Sequence, residues 1–231
     1  MNVGIIGSGN IGSTLARKLK ALGNDVLIAN SRGPSTLAEF AEKTGVAAAT
    51  VEQAAQAADL VIIAIPQLAI SDLPLDVLKA NPAVVVDAGN YYPTRDGVVA
   101  DIEAGATDSE WIASVLGRPV IKAFNNIVAD SLATRGVPGG SGERVALSVA
   151  GDAVKAKELV KGVVEALGFD AIDGGTLAES WRQQPGTPAY CKDLNAAQLE
   201  AALASADRAE IKRYRNDADQ AAAPYLKPFK V

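Results

Sequence analysis

Three glycines near the N-terminus stand in the pattern Gly7-Ser8-Gly9-Asn10-Ile11-Gly12, a G-x-G-x-x-G spacing. They follow directly on the apolar run 2–7. They open residues 11–22, where Leu15, Leu19 and Leu22 recur at helical spacing and Gly23 ends the pattern. A glycine loop between a strand and a helix can cradle a pyrophosphate. Gly7 allows the tight turn. Gly9, without a side chain, lets the backbone approach the phosphates, and Gly12 lets helix and strand pack closely. The helix N-terminus adds free N–H groups and a partial positive charge. The chemistry implied is the binding of a dinucleotide.

The end of the next strand selects which one. Folds that bind NAD usually place Asp or Glu about 20 residues beyond the glycines, on the ribose hydroxyls. Here the sequence reads Asn30-Ser31-Arg32. No carboxylate stands there to repel a 2′-phosphate. Ser31 offers a hydroxyl, and Arg32 a guanidinium that pairs with phosphate in a bidentate way. NADP(H) is therefore expected over NAD. Without the glycines upstream, Arg32 would read as a solvated loop charge.

The elements that must position these residues alternate from the start. Strands are expected over residues 2–7, 25–29, 45–50, 59–66, 83–87 and 119–124. Helices are expected over 11–22, 35–43, 51–58 and 70–80, the last interrupted at Pro74. The run DLVIIAIP at 59–66 has the continuous apolarity of a strand buried on both faces. This order predicts an α/β fold, a doubly wound parallel sheet of the Rossmann type. A break is expected at 137–142 (VPGGSG). Beyond it come a strand at 145–150, a long helix at 152–167, a strand at 169–173 and one or two exposed helices within 194–219. We divide the chain into a dinucleotide-binding domain, 1–143, and a small C-terminal substrate or dimerisation portion, 144–231. The border is soft, since the later strands could extend the first sheet.

Ligands in such sheets lie beyond the carboxyl ends of the strands. Ile65, Pro66 and Gln67 end the fourth strand, and their backbone is expected beside the ribose and nicotinamide. Asn90 follows the fifth strand. It either hydrogen-bonds the ribose or carboxamide or forms an Asx turn ahead of Pro93. Asn125 follows the sixth, as a substrate contact or as the N-cap of the next helix.

Composition removes other chemistries. The chain has 231 residues, no histidine and one cysteine, Cys191. That excludes a Ser-His-Asp triad, a Cys-His dyad, every His-containing metal site and an internal disulfide, so no metal is expected. The net charge is −5 and the basic residues form no stripe, which argues against nucleic acid or an anionic membrane surface as partner. No apolar run reaches the length of a membrane-spanning helix, and no signal peptide is expected ahead of the first strand. A cytoplasmic protein is expected. The Ala-rich helices from 194 onward are expected to pair in a homo-oligomer, a homodimer in the first instance.

The opening GIIGSGNIGSTLARKLKALGNDVLIANSR, together with AIP, DAGN, VIKAFNNI, the AGD at 150–152 and LGFDAIDGGTL at 167–177, resembles the NADPH-dependent deazaflavin (F-420) reductase family of dinucleotide-binding enzymes. The resemblance covers about three-quarters of the chain. The chain is also similar to the oxidoreductase domain of metalloreductases that pass electrons from NADPH to a flavin. The resemblance implies that Gly7, Ser8, Gly9, Asn10 and Ile11 hold the pyrophosphate. Ser31 and Arg32 would hold the 2′-phosphate, and residues 65–67 would lie beside the nicotinamide. The acceptor would be F-420, FMN or FAD. The chain departs from the family pattern in three places. Gln67 stands where an aromatic residue is usual, the family's histidine near the sixth strand is replaced around Asn125, and the segment Trp181 to Tyr190 lies outside the pattern.

Hydride transfer to a flavin or deazaflavin needs two rings held face to face and no obligatory general acid, which suits a chain without histidine. Reduction of a carbonyl or imine needs a proton donor. Lys122, Lys192, Tyr91, Tyr92 and Tyr190 are the donors available, and Lys192 with Asn195 resembles the pair of hydroxyacid dehydrogenases. A third possibility is an NADP(H)-binding sensor without turnover. Trp181 and Tyr190 argue against that if they fold over the nicotinamide; otherwise they are ordinary packing. Cys191 reads as a small packed residue rather than a nucleophile.

Overall fold

In the computed structural model, residues 1–137 and 144–226 are described. Six strands form one parallel sheet: β1 Asn2–Ile6, β2 Asp25–Ala29, β3 Ala47–Ala48, β4 Leu60–Ile63, β5 Val84–Asp87 and β6 Ile121–Lys122. Their order is β3-β2-β1-β4-β5-β6, so the strand order, not the strand direction, reverses between β1 and β4. This is the doubly wound order, and its switch point opens a crevice at the carboxyl ends of β1 and β4. β1 pairs in register with both neighbours: Ile6 lies opposite Ala29 on one side and Ile63 on the other. All four residues of β4 are buried, as its unbroken apolar run requires of a central strand.

Helices cover both faces of the sheet. α1 Asn10–Ala21, α2 Ala38–Thr44, α3 Val51–Ala55 and α4 Leu75–Ala80 occupy the first four crossovers. The expected helix at 35–43 begins as a 3-10 turn, Pro34–Leu37, with Pro34 in its first turn, where its missing N–H costs nothing, and continues as α2. The one expected at 70–80 is likewise split. Gln67–Asp72 is a 3-10 helix and α4 starts only at Leu75, after Pro74 breaks the ladder.

Between β5 and β6 the chain forms α5 Pro93–Asp96, α6 Ala100–Glu103 and α7 Asp108–Leu116. Sequence reading found none of them, yet α7 carries a signal. Thr107 and Glu110 make a reciprocal capping box, legible as T-x-x-E.

After β6 come α8 Ala129–Thr134, β7 Ala146–Val149, α9 Val154–Ala166, β8 Asp170–Asp173, α10 Ala196–Ser205 and α11 Ile211–Ala222. β7 and β8 do not extend the first sheet but pair with each other, parallel. They touch β6 through one antiparallel bridge, Lys122 to Ala150, closed by N–H···O bonds of 2.8 and 3.0 Å. Leu147, Val149, Val160, Val164 and Phe169 share one buried cluster with Leu15, Leu19, Ile121 and Phe124, so the C-terminal part packs on α1 and β6 through a continuous apolar core. The break expected at 137–142 lies, but for Val137, outside the described residues. Among those residues no helix is long and apolar enough to cross a membrane.

Candidate functional site

The glycine loop joins β1 to α1 at the switch point. The Gly7 N–H donates to the Ala29 carbonyl at 2.8 Å, tying the loop to the end of β2. Gly7 has φ +118°, and a Cβ there would lie 2.2 Å from the Ala64 carbonyl oxygen. A Cβ on Gly12 would lie 1.9 Å from the Gly7 carbonyl oxygen, so the helix can approach the loop only without one. Gly9 differs: a Cβ built on it meets nothing within 4 Å. Its freedom from a side chain serves the open space in front of it, not the packing behind it. Gly9 is also the N-cap of α1, with no side-chain cap and no acidic residue in the first turn. The first-turn amides, on Asn10, Ile11 and Gly12, are thus left for an external acceptor.

That space is a cleft of about 560 Å³. Of the residues singled out from the sequence, Gly7, Ser8, Gly9, Asn30, Ser31, Arg32, Ile65 and Pro66 line it. The loop after β2 is held by side chains. Asn30 Nδ2 donates to Ser8 Oγ at 3.1 Å and to Thr36 Oγ1 at 3.0 Å, and Asn30 Oδ1 accepts from the Arg32 N–H at 2.9 Å. Asn30 thereby sets the backbone that displays Ser31 and Arg32. Arg32 is exposed and makes no ion pair among the described residues. The cleft also takes in Thr50, Val51 and Glu52 at the start of α3, which sequence reading missed. The signal was the Thr50-x-x-Gln53 capping box, which is formed.

Asn90, Asn125 and Tyr190 are brought together, beside the ends of β5 and β6 and not in the lining of the cleft. Asn90 Nδ2 donates to the Asn125 carbonyl at 3.1 Å and to Tyr190 Oη at 3.3 Å, and Asn125 Nδ2 returns a bond to Asn90 Oδ1 at 3.1 Å. Buried Gln183 fastens the other side of Asn125: Nε2 donates to Asn125 Oδ1 at 2.8 Å, and the Gln183 carbonyl accepts from Asn125 Nδ2 at 2.8 Å. The Tyr190 and Tyr92 hydroxyls share a proton contact at 2.6 Å. Burial first, then neighbouring Cys191 and Tyr92, pushes the Tyr190 phenol well above the usual range. Burial likewise pushes the Cys191 thiol up to about 11, with the Tyr190 hydrogen bond opposing, so Cys191 stays a protonated thiol. Phe124, immediately before Asn125, is fully buried at φ +64°. A bulky residue there is strained, and such strain clusters at functional loops.

Two residues lie elsewhere. Gln67 is fully buried behind the cleft, its Nε2 donating to the Asp108 carbonyl at 2.9 Å and its Oε1 without a partner. Trp181 does not join Tyr190. It packs under the guanidinium groups of Arg182 and Arg208, 5.5 and 5.2 Å from the ring, against a separate small cavity. Lys122 is not an available proton donor. Its Nζ is fully buried, 2.8 Å from Asp87 Oδ2 and 2.6 Å from the Gly89 carbonyl. Asn195 is the N-cap of α10, accepting from the Gln198 N–H. Asp108, fully buried, accepts from the Tyr91 N–H at 3.1 Å. Burial pushes its carboxyl up to about 6, with the Lys122 charge opposing.

A family model described as "NADP oxidoreductase coenzyme F420-dependent" matches residues 2–91, which hold β1 to β5 and every residue lining the cleft. A solved structure of a hypothetical protein of Sinorhizobium meliloti is 34% identical, with 84% of this chain and 96% of that one covered at a TM-score of 0.74. The chain belongs to this family of NADP oxidoreductases. A protein of Arthrobacter sp. FB24 described as an F420-dependent NADP reductase has the same fold at 23% identity, over 78% of this chain and 87% of that one, with a TM-score of 0.64. The rat (Rattus norvegicus) metalloreductase STEAP3 is 28% identical over 77% of this chain and 34% of its own length. The matches span 61% and 34% of the lengths of two curated relatives. This chain's Rossmann sheet carries the glycine loop at the switch point.

Proposed function

We propose that this protein transfers a hydride between NADP(H) and a flavin- or deazaflavin-type acceptor, F-420, FMN or FAD. The observation that carries the reading is the pairing of two features on one cleft. An open face at Gly9 lies before an uncapped helix N-terminus, and Ser31 and Arg32 stand where a ribose-binding carboxylate would exclude a 2′-phosphate. Both fit a dinucleotide carrying that phosphate.

The roles follow from the residues. Gly7, Ser8, Gly9 and the first-turn amides of Asn10, Ile11 and Gly12 bind the pyrophosphate. Asn30 orients the loop, Ser31 donates a hydroxyl, and Arg32 supplies charge and a bidentate donor pair. Ile65 and Pro66 form an apolar wall that excludes water beside the ring. Asn90 and Asn125, locked to each other and to Gln183, hold the wall beyond it. When bound, the nicotinamide supplies the hydride chemistry itself. Positioning is the protein's main contribution, and a chain with no histidine can provide it.

A second reading rests on the Tyr92–Tyr190 hydroxyl pair. A phenol held by Asn90 beside the strand ends is a proton donor of the kind a carbonyl or imine substrate needs. An anaerobic assay with NADPH, with NADH as control, and a panel of F-420, FMN, FAD, a quinone and a cyclic imine separates the two. Fast NADPH-selective reduction of a flavin-type acceptor is expected. Reduction of the imine alone would move the assignment to the second reading, and tight binding with no acceptor reduced would move it to a sensor.

A further inference from the structure

Arg215, Gln184 and Trp181 meet at a cavity of about 140 Å³ between the loop after α6 and the start of α11, sharing no lining residue with the glycine-loop cleft. Three features set it apart from a packing defect. Its lining holds three cations, Arg208, Lys212 and Arg215, against the single carboxylate of Glu103, in a chain whose net charge is −5. The cationic floor is built in rather than displayed on the surface. Arg215 is only 7% exposed, fixed by Nη1 to Glu103 Oε1 at 2.9 Å and by its guanidinium 5.3 Å from the Tyr91 ring. Its remaining N–H groups have no hydrogen-bond partner among the described residues. Gln184, 3% exposed, lines the same space, and its Nε2 is a buried donor with no acceptor.

Buried donors without acceptors are rare in folded proteins, and each asks for a partner. Gln184 Nε2 is such a donor, and it lies at a cavity where the Arg215 guanidinium also has N–H groups to spare. Ile211 and Lys212, which line the cavity, also open the 12-residue α11, whose N-cap has no side-chain hydrogen bond. The Ile211 N–H already donates to the Arg208 carbonyl, so the helix contributes the positive end of its dipole rather than that amide. The volume is well below that of an ordinary small-molecule pocket and suits one oxyanion head group.

We propose that this cavity is a second ligand site, for a small oxyanion: a carboxylate or phosphate group. Arg215 and Gln184 form the floor, and Arg208 and Lys212 close over it from the exposed rim. Because Arg208 stacks on Trp181, occupancy draws Arg208 inward and alters the surroundings of the indole.

The test uses that ring. The chain has two tryptophans, so Trp111→Phe leaves Trp181 as the sole reporter. Inorganic phosphate and sodium acetate are titrated separately into this variant, with sodium chloride at matched ionic strength. A saturable change in Trp181 emission with one of the two oxyanions and not with chloride is expected, and which one responds names the head group. Arg208→Ala and Gln184→Glu, each added to Trp111→Phe, should raise the apparent Kd at least tenfold. Circular dichroism of each variant confirms the fold. The same three proteins are also titrated with phosphate while the unfolding temperature is followed, since a ligand bound only by the native state raises it. Identical responses to chloride and both oxyanions would overturn the proposal. So would unchanged affinity in both cavity variants.

Discussion

Lys122 Nζ lies 2.8 Å from Asp87 Oδ2, and neither side chain is exposed at all. The pair joins the last residues of β5 and β6, directly beneath the loop that carries Gly89 and Asn90. Ser109 Oγ donates to the same carboxylate oxygen at 2.7 Å, and the Gly89 N–H donates to Asp87 Oδ1 at 2.8 Å. A fully dressed buried pair contributes little net stability against an apolar substitute, but removing one partner strands the other charge. Lys122→Met should therefore cost about 3–5 kcal/mol. Denaturant unfolding measures it. A loss below about 1 kcal/mol would show that the pair does not clamp the strand ends.

The glycine loop separates folding from binding. Gly9→Val places its Cβ in open space, so the unfolding midpoint should fall by no more than a few degrees, the cost of a poorer N-cap, while NADPH binding is abolished. Gly12→Ala drives a Cβ into the Gly7 carbonyl and should destabilise the fold itself. Thermal melts of both variants, with a binding titration for Gly9→Val, check the contrast. Retained NADPH affinity in Gly9→Val would remove the pyrophosphate from this loop.

Asp108 makes the fold's stability depend on pH in a stated direction. Its folded pKa is raised, from 3.8 to about 6, chiefly by burial. Between those values the native state holds the proton more tightly than the unfolded chain. The group's favourable contribution is therefore present below about pH 4 and lost as pH rises to 6. The full loss is roughly 3 kcal/mol. Asp108→Asn should match wild type at pH 4 and exceed it by a growing margin up to pH 6, levelling beyond. The Asn side-chain oxygen can still accept the Tyr91 N–H. Urea unfolding of both proteins from pH 4 to 7.5 measures the difference, and a constant or opposite difference would contradict it.

Much of this was legible beforehand, for identifiable reasons. β1, β2, β4 and β5 were readable because each is a short apolar run closed by turn residues, and α1 because its leucines repeat at helical spacing. The cleft residues followed from the G-x-G-x-x-G spacing and from the residues closing β2. What was not legible depends on partners distant in sequence. Nothing near Gln67 says that Asp108, 41 positions on, will accept its hydrogen bond and hold it behind the cleft. Trp181 left a lid and ordinary packing equally open, because the sequence does not show that its ring meets Arg208 on another element rather than Tyr190. Lys122 read as a donor because its charge is visible in the sequence and its burial against Asp87 is not.

The tyrosine pair discriminates the two readings of the chemistry. If the acceptor is flavin-like, no protein proton donor is required, and Tyr92→Phe and Tyr190→Phe should each reduce the acceptor within about threefold of wild type. A loss of about 10²-fold in kcat with KM unchanged would make the pair a general acid and favour a carbonyl or imine substrate.

The central claim is that the cleft selects the 2′-phosphate through Ser31 and Arg32. Calorimetric titration of NADPH and NADH into wild type and Arg32→Asp tests it most directly. Wild type should prefer NADPH. The substitution should weaken NADPH by about 2 kcal/mol, roughly 30-fold in Kd, and leave NADH unchanged or tighter. Equal losses for both dinucleotides, or a wild type that binds NADH as tightly as NADPH, would contradict the account.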